Sequence, residues 1–523
     1  MPDIVLATLN AKYVHASFGL RYLLANLGPL QSRACLAEFD LQQRPIDIAE
    51  SLLARQPRII GLGVYIWNVA PTTELVAILK RLRPELVIVL GGPEVSFELD
   101  QQPVTGRADY VVTGEADLKF AELCRVLLEP GAKTSPPMPK VLSAEPPEFK
   151  DLALPYDFYT HEDVTHRILY VEASRGCPFH CEFCLSSLEV PVRQAPLPAF
   201  LHHLERLLDR GARHLKFVDR TFNLNIESSR RILEFLLERH RPGDLFHFEM
   251  IPDRLPVALR EVIARFPPGS LQFEIGIQTF NESVSQLIHR RQDYARLEEN
   301  FHFLRHETGV HLHADLIAGL PGETVESFAA GFDRLVALGP HEIQVGILKR
   351  LRGTPIVRHD AEWGMVYSPE PPYEVLQTRL IDFESMQRLR RFARYWDLVG
   401  NSGNFVETAP LLWSSRGTGS GATREAGSPF HGFSRWSEWL FARVGRTDRI
   451  ALIRLMELLY EYLVSERGAD SKLVAQALWG DYRRGGRFDK PSFLREHLAA
   501  GASNRGDRPA KPLRPKRQAR HWA

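Results

Sequence analysis

Short apolar runs separated by amphipathic stretches of helical period dominate the first two thirds of this chain, and few architectures accept that alternation. The first set of runs is IVLATL (4–9), ACLAEF (34–39), IIGLGVYI (59–66), LVIVLGG (86–92) and DYVVTG (109–114). Between them stand GLRYLLANL, PIDIAESLLA and TTELVAILKRLR, and LKFAELCRVLL closes the set. Strands joined through helix-length segments pair in parallel by right-handed crossovers. The expected fold class is α/β, beginning with a flavodoxin-like doubly wound domain over residues 1–130. In such a sheet ligands sit at the carboxyl ends of the strands. Here those ends carry NAKYVHAS (10–17), YIWN (65–68), GGPE (91–94) and GEAD (114–117). Each glycine alone reads as a tight βα turn; four such loops on one edge point to a ligand.

A second series begins at RILYVEA (167–173) and continues with HLKFVD (214–219), LFHFEMI (245–251), LQFEIGI (271–277), HLHADLIAGL (311–320) and EIQVGILK (342–349). Six strands at βα spacing predict a central partial (β/α)6 barrel over 166–355, two strands short of closure. The proline-rich stretch 131–165 reads as a linker. Residues 356–500 are expected to form a mainly helical C-terminal domain, with one helix over 373–396 and another over 449–466. The glycine- and serine-rich SSRGTGSGATREAGSP (414–429) reads as a mobile loop, and 501–523 as a basic, disordered tail.

Composition excludes some classes. A formal net charge of +1 gives no general attraction to nucleic acid, and no apolar run reaches the length of a membrane span. MPDIVLATL lacks a basic leader and reads as a first strand. Five cysteines in 523 residues do not make a disulfide framework, so a cytoplasmic protein with reduced thiols is expected.

Three of those five, Cys177, Cys181 and Cys184, fall within RGCPFHCEFC (175–184), directly after the first strand of the second series. Three thiolates in C-x3-C-x2-C converge only if the segment wraps as a compact loop, which Gly176 and Pro178 suit. A zinc ion would want a fourth protein ligand. His180 is nearest, but as the neighbour of Cys181 it is expected to point away. A 4Fe–4S cluster would keep one iron free of protein sulfur and open to a small chelating molecule. From the residues alone both metals stay open, with the cluster favoured.

The triad after a first barrel strand, with Phe183 just before the last cysteine, resembles the radical S-adenosylmethionine enzymes. That resemblance implies that Cys177, Cys181 and Cys184 hold a 4Fe–4S cluster, whose fourth iron is chelated by S-adenosylmethionine. Reductive cleavage then gives a 5′-deoxyadenosyl radical that abstracts hydrogen from substrate. FVDRTFN (217–223) resembles the loop whose carboxylate, here Asp219, holds the methionyl amine. EIGIQTFN (274–281) resembles the fourth-strand motif, with Glu274 and Gln278 facing the cofactor. DLIAGLPGET (315–324), with Gly319, resembles the glycine-rich motif near adenine, and LKRLRGTP (348–355) the sixth-strand ending. The likeness covers about 165–355.

A flavodoxin-like domain ahead of such a barrel is similar to the cobalamin-binding subgroup of these enzymes. The resemblance implies that Gly91, Gly92, Gly114 and Glu115 face the corrin and its nucleotide tail. Many cobalamin domains carry Asp-x-His-x-x-Gly after the first strand. This chain has KYVHASFG (12–19), where Tyr13 replaces the aspartate and Gly19 lies one residue late. His15 is the candidate lower cobalt ligand, but it lacks its usual carboxylate partner, and cobalt without a protein ligand is expected. The resemblance further implies a small-molecule substrate and an electron donor of flavodoxin or ferredoxin type. The favoured reaction is methyl transfer from methylcobalamin. The alternatives are oxidative cyclisation or rearrangement without methylation, as in the anaerobic cyclases of tetrapyrrole synthesis, a tRNA methylthiotransferase-like enzyme, and a non-catalytic cobalamin-binding sensor. Methylthiotransferases need three further cysteines, whereas Cys35 and Cys124 are two and far apart. NSGNF (401–405) and FHGFSRWSEWLF (430–441) are candidates for closing the barrel, or plain helix core.

Overall fold

The computed structural model describes residues 1–129, 138–188, 191–414, 427–498 and 516–521. They divide into two compact units, Met1–Phe222 with Lys349–Arg358 and Tyr367–Glu374, and Asn223–Leu348 with His359–Val366 and Val375–Ala523. The fold is mixed α/β with parallel sheets and a partial barrel-like core.

In the first unit, β1 (Ile4–Asn10), β2 (Ala34–Asp40), β3 (Ile59–Gly63), β4 (Val87–Gly91), β5 (Tyr110–Gly114) and β6 (Val141–Ala144) pair in the order β2-β1-β3-β4-β5-β6. Every residue of β1 is buried, as a central parallel strand covered on both faces requires. The order reverses at β1 and β3, where a doubly wound sheet opens a crevice. Strand β6 lies in the stretch expected as linker. Its four residues show no apolar period because it is an edge strand, paired on β5 alone.

The chain then passes through the helix His161–His166 to β7 (Leu169–Val171). The helix is closed at its start by a capping box between Thr160 and Asp163. Next come β8 (Ser174–Arg175) and β9 (Arg193–Gln194), an antiparallel two-residue ladder, and β10 (His214–Phe217), which pairs in parallel with β7. The loop holding the three clustered cysteines runs between β8 and β9, so the ladder forms its neck.

In the second unit, β11 (Leu245–Met250), β12 (Leu271–Gln278), β13 (His311–Ala318) and β14 (Glu342–Ile347) follow one another in a parallel sheet. Buried and half-buried residues alternate along β12, which separates an apolar helix-covered face from a polar one.

The later helices are Phe383–Leu398, Pro429–Val444, Leu452–Glu461 and Ser471–Arg484. The helix expected over 373–396 starts only at Phe383, because Val375–Gln377 is a short strand and Asp382 caps the helix by accepting a hydrogen bond from Ser385 N (2.8 Å). Phe430 and Phe433 are buried against Phe332, Phe392 and Trp396, and Trp436 against Tyr395, so this aromatic stretch is helix core. Asn401 exchanges two hydrogen bonds with the backbone of Ile343 (2.8 and 2.9 Å), which gives NSGNF a structural role at the start of β14.

The basic tail is not uniformly free, since Lys516–His521 is helical. Its Arg517 pairs with Glu342 (2.9 Å) and Asp397 (2.7 Å). The glycine- and serine-rich loop 415–426 and most of the tail lie outside the described residues, as do residues 130–137 of the expected linker. Among the described residues no helix is long and apolar enough to cross a membrane.

Candidate functional site

A cavity of about 270 Å³ opens at the carboxyl edge of the first sheet. Its walls include Gly61 and Gly63 of β3, Gly91 and Gly92 at the end of β4, and Gly114 at the end of β5. Two of these glycines are dictated by backbone geometry. Gly92 has φ +109°, and a Cβ there would lie 2.5 Å from Val64 O. Gly114 has φ +77°, and its Cβ would lie 2.7 Å from Ala144 O. Both glycines are thus fixed by close approach of the neighbouring main chain, which leaves the strand ends along the cavity without side chains. Tyr65 lines the cavity and stacks on the exposed Trp67 with ring centroids 4.4 Å apart. Gly91, Gly92 and Gly114 thus come together as the sequence suggests.

Glu115 does something different. Its carboxylate is held by Arg175 (Nη1, 3.0 Å) and by Arg193, at the two sides of the β8–β9 neck. Arg175 also pairs with Asp117 (2.9 Å) and Glu172 (2.8 Å), and its guanidinium lies 4.3 Å from the centre of the Tyr22 ring. All five charged groups are at most 15 % exposed. Burial pushes the Glu172 carboxyl above its ordinary range, against the pull of Arg175. Sequence reasoning missed this network. Its only signal is the arginine immediately before Gly-Cys; Glu172 is three residues away, but Asp117 and Glu115 lie 58 and 60 residues away.

His15 does not line the cavity. Its Nδ1 is 2.6 Å from the Tyr170 hydroxyl, and its backbone forms a bridge to Ile168. Burial, reinforced by Lys12 and Lys216, lowers its pKa and favours the neutral imidazole. Tyr13 turns outward, bonding Glu162 and lying under Arg167. The loop is held from beneath by Arg21, 2 % exposed, which pairs with Glu38 (2.9 Å) and Asp163 (2.8 Å).

Within the cysteine loop, Cys177 and Cys181 are buried and Cys184 half-buried. Gly176 has φ +92°, and Cys184 N donates to Cys181 O (3.1 Å), the tight turns that the spacing demands. His180 is exposed, and Phe183 is half-buried between the last two cysteines. Among the described residues, no three His, Cys, Asp or Glu side chains are gathered as ligands of one metal ion. Three thiolates on one zinc would stand roughly 3.8 Å apart, whereas in an iron–sulfur cube each thiolate takes a different corner. Three cysteines supplied by one loop match three corners of the cube and leave the fourth iron free of protein sulfur.

Asp219 sits beneath that loop's entry. Ala173 N (3.0 Å) and Ser174 Oγ (2.6 Å) donate to its carboxylate, and burial pushes its pKa up to about 7. Cys35 and Cys124 pack into two different apolar clusters of the first sheet, and burial pushes the Cys124 thiol up to about 12.

In the second unit Glu274 pairs with His247 (2.9 Å), and one strand further on His313 pairs with Asp315 (3.2 Å), so the polar face of β11–β13 is built of imidazole–carboxylate couples. Gln278 ends β12 at φ +73° beside a register shift at Gly276. A Cβ on Gly319 would lie 2.5 Å from Val375 and 3.0 Å from Met386, so close packing already accounts for that glycine.

Comparison with known proteins agrees with this layout. The family described as the B12 binding domain matches residues 4–124, and the Radical SAM superfamily matches 171–335. One chain thus joins a B12 binding domain to a Radical SAM domain. Residues 361–505 match a third family, described as "Protein of unknown function (DUF4080)". An uncharacterized methyltransferase of Pyrococcus horikoshii is 31% identical over 206 residues, covering 34% of this chain and 43% of that protein. A ribosomal protein uS12 methylthiotransferase of Pelobacter propionicus is 30% identical over 183 residues, 32% of this chain and 40% of that protein. The chain thus spans less than half the length of these curated relatives. The cobalamin-dependent radical SAM methyltransferase TokK of Streptomyces tokunonensis is 22% identical over 392 residues, 61% of this chain and 52% of that protein. Among solved structures, the cobalamin-dependent S-adenosylmethionine radical enzyme OxsB with aqua-cobalamin bound shares the fold at TM-score 0.60 and 15% identity, covering 92% of this chain and 79% of that one.

Proposed function

We propose that this protein is a cobalamin-dependent radical S-adenosylmethionine enzyme that methylates an unactivated carbon of a small molecule, with reducing equivalents from a flavodoxin- or ferredoxin-type donor. The observation that carries the reading is the glycine-walled cavity, whose rim residues Glu172 and Arg175 lead within five residues into Cys177. When bound, the cluster and S-adenosylmethionine supply a hydrogen-abstracting radical, and cobalamin supplies a transferable methyl group. Cys177, Cys181 and Cys184 would hold the cluster. Asp219 fixes the backbone at 173–174, and so the angle at which the cysteine loop leaves β7. Gly91, Gly92 and Gly114 give a nucleotide-like tail access to the strand ends, and Tyr65 with Trp67 offers a flat apolar surface beside it. Glu274 and Gln278 are the polar groups assigned to S-adenosylmethionine.

Two alternatives lose support from the same residues. A second cluster, as in methylthiotransferases, would need three thiols, and Cys35 and Cys124 are separately packed. A non-catalytic sensor would have no use for three cysteines at C-x3-C-x2-C spacing in one loop. Anaerobic reconstitution with iron, sulfide and hydroxocobalamin tests the proposal. Retained corrin absorbance and 5′-deoxyadenosine from S-adenosylmethionine plus a strong reductant are expected, and Cys181→Ala should abolish the second without the first. If wild-type protein with a full cluster yields no 5′-deoxyadenosine, the proposal fails. Label from methyl-deuterated S-adenosylmethionine, followed into product in a cell extract, separates methylation from cyclisation.

A further inference from the structure

The cavity and the cysteine loop share side chains. Asp117, Glu172, Arg175 and Tyr22 line the cavity, and the same Arg175 forms one side of the neck from which the loop emerges. Across that neck Arg175 stands opposite Arg193. Like charges directly opposite on a ladder repel. What holds them together is Glu115, which accepts from both guanidinium groups, while Asp117 takes two nitrogens of Arg175 at 2.9 and 3.2 Å. Arg193 is further pinned by the carbonyl of Pro147. The neck is thus closed by carboxylates from the loop that follows β5, and one of these, Asp117, faces the cavity.

From this geometry we infer that Arg175, Arg193 and Glu115 are positioning residues that couple occupancy of the cavity to the cysteine loop, so that a corrin nucleotide tail in the cavity tightens binding of S-adenosylmethionine at the cluster. The inference rests on the corrin-binding reading of the cavity. A group seated against Asp117, Glu172 and Tyr22 restricts the side chains that orient Arg175. The neck is then ordered before S-adenosylmethionine arrives, and the second ligand meets a smaller ordering cost. Coupling of this kind is reciprocal, so S-adenosylmethionine tightens the corrin by the same factor.

The test uses the full chain carrying its cluster. Affinity for S-adenosylmethionine is read from the change it causes in the electron paramagnetic resonance of the reduced cluster. It is measured without corrin, with hydroxocobalamin, and with cobinamide, which lacks the nucleotide tail. Hydroxocobalamin should lower the Kd by about fivefold or more, and cobinamide should leave it unchanged. Glu115→Gln should retain iron and corrin but bring the ratio close to one. Arg193→Lys, which keeps the charge and loses the fork, should give an intermediate ratio and serves where Glu115→Gln does not fold. Retained cobalamin with no change in Kd overturns the coupling alone, as does an equal effect of cobinamide or an undiminished ratio in both variants. Failure to retain any corrin overturns the reading of the cavity and the coupling with it.

Discussion

The strand-end cavity of the first unit and the polar face of β11–β13 in the second solve the same problem by opposite means. The glycine edge of the cavity works by subtraction. At Gly92 and Gly114 the backbone occupies conformations and approaches that a side chain forbids. The polar face is made by addition, with His247 on Glu274 and His313 on Asp315, each group holding its neighbour. A surface made by subtraction has no slack, because one added methyl collides with the main chain. A surface of paired side chains gives way locally when one partner changes.

The comparison can be broken at graded cost. The largest loss is expected beneath the first surface, where Arg21 is fully buried between Glu38 and Asp163. Arg21→Met leaves two buried carboxylates with Arg167 as their one remaining cation and should cost about 3 kcal/mol, measured by chemical denaturation. Both carboxyls lie below their ordinary values in the folded protein. Their contribution is therefore complete above the unfolded carboxylate range and is lost as pH falls through the folded values. Next comes Gly92→Ala, at about 1–3 kcal/mol of backbone strain, with corrin uptake reduced in desalted samples. An unchanged melting temperature and full corrin retention would remove the argument from subtraction.

A third effect belongs to the second unit. His341 is stacked 4.7 Å from His311 and accepts from Leu312 N (3.0 Å). Burial, with His311, Arg305 and His521 nearby, pushes it down to about 2. The neutral form is the one that packs, so stability is complete above the unfolded histidine pKa and falls on acidification. The His341 share should be roughly 2 kcal/mol between pH 7 and 5, and His341→Asn should flatten that part of the denaturation-against-pH curve. Acid should thus reach the second unit's histidines before the first unit's carboxylates. The smallest effect is expected from Glu274→Gln. Its pair with His247 is partly exposed, and the change should cost under about 1 kcal/mol by thermal unfolding. A loss larger than that of Gly92→Ala would reverse the comparison.

Legibility in the sequence follows the same division. All eleven expected strands are present, because parallel strands carry their apolar period locally. β6 was hidden, being a four-residue edge strand without that period. The cysteine triad and the glycine loops were legible because their spacing lies within ten residues. The partners of Arg175 and of Arg21 were not. Ion pairs form between residues 58 or 142 positions apart, and no local pattern records which charges meet. His15 shows the limit most clearly. Its motif marks the loop and the missing aspartate, yet a phenol from β7 stands at hydrogen-bond distance from the ring, a partner that no motif includes.

The ladder at Arg175 and Arg193 also has a consequence for how the metal centre is assembled. A chain segment fixed at both ends is already a closed ring, so its three thiols meet incoming iron at a high effective concentration, as the arms of a chelator do. Most of the entropy of closure is then settled in folding, before metal arrives. Closure depends only logarithmically on length, and doubling the stretch between the fixed ends would add only ~0.6 kcal/mol. Inserting residues after Cys184 should therefore cost metal uptake little.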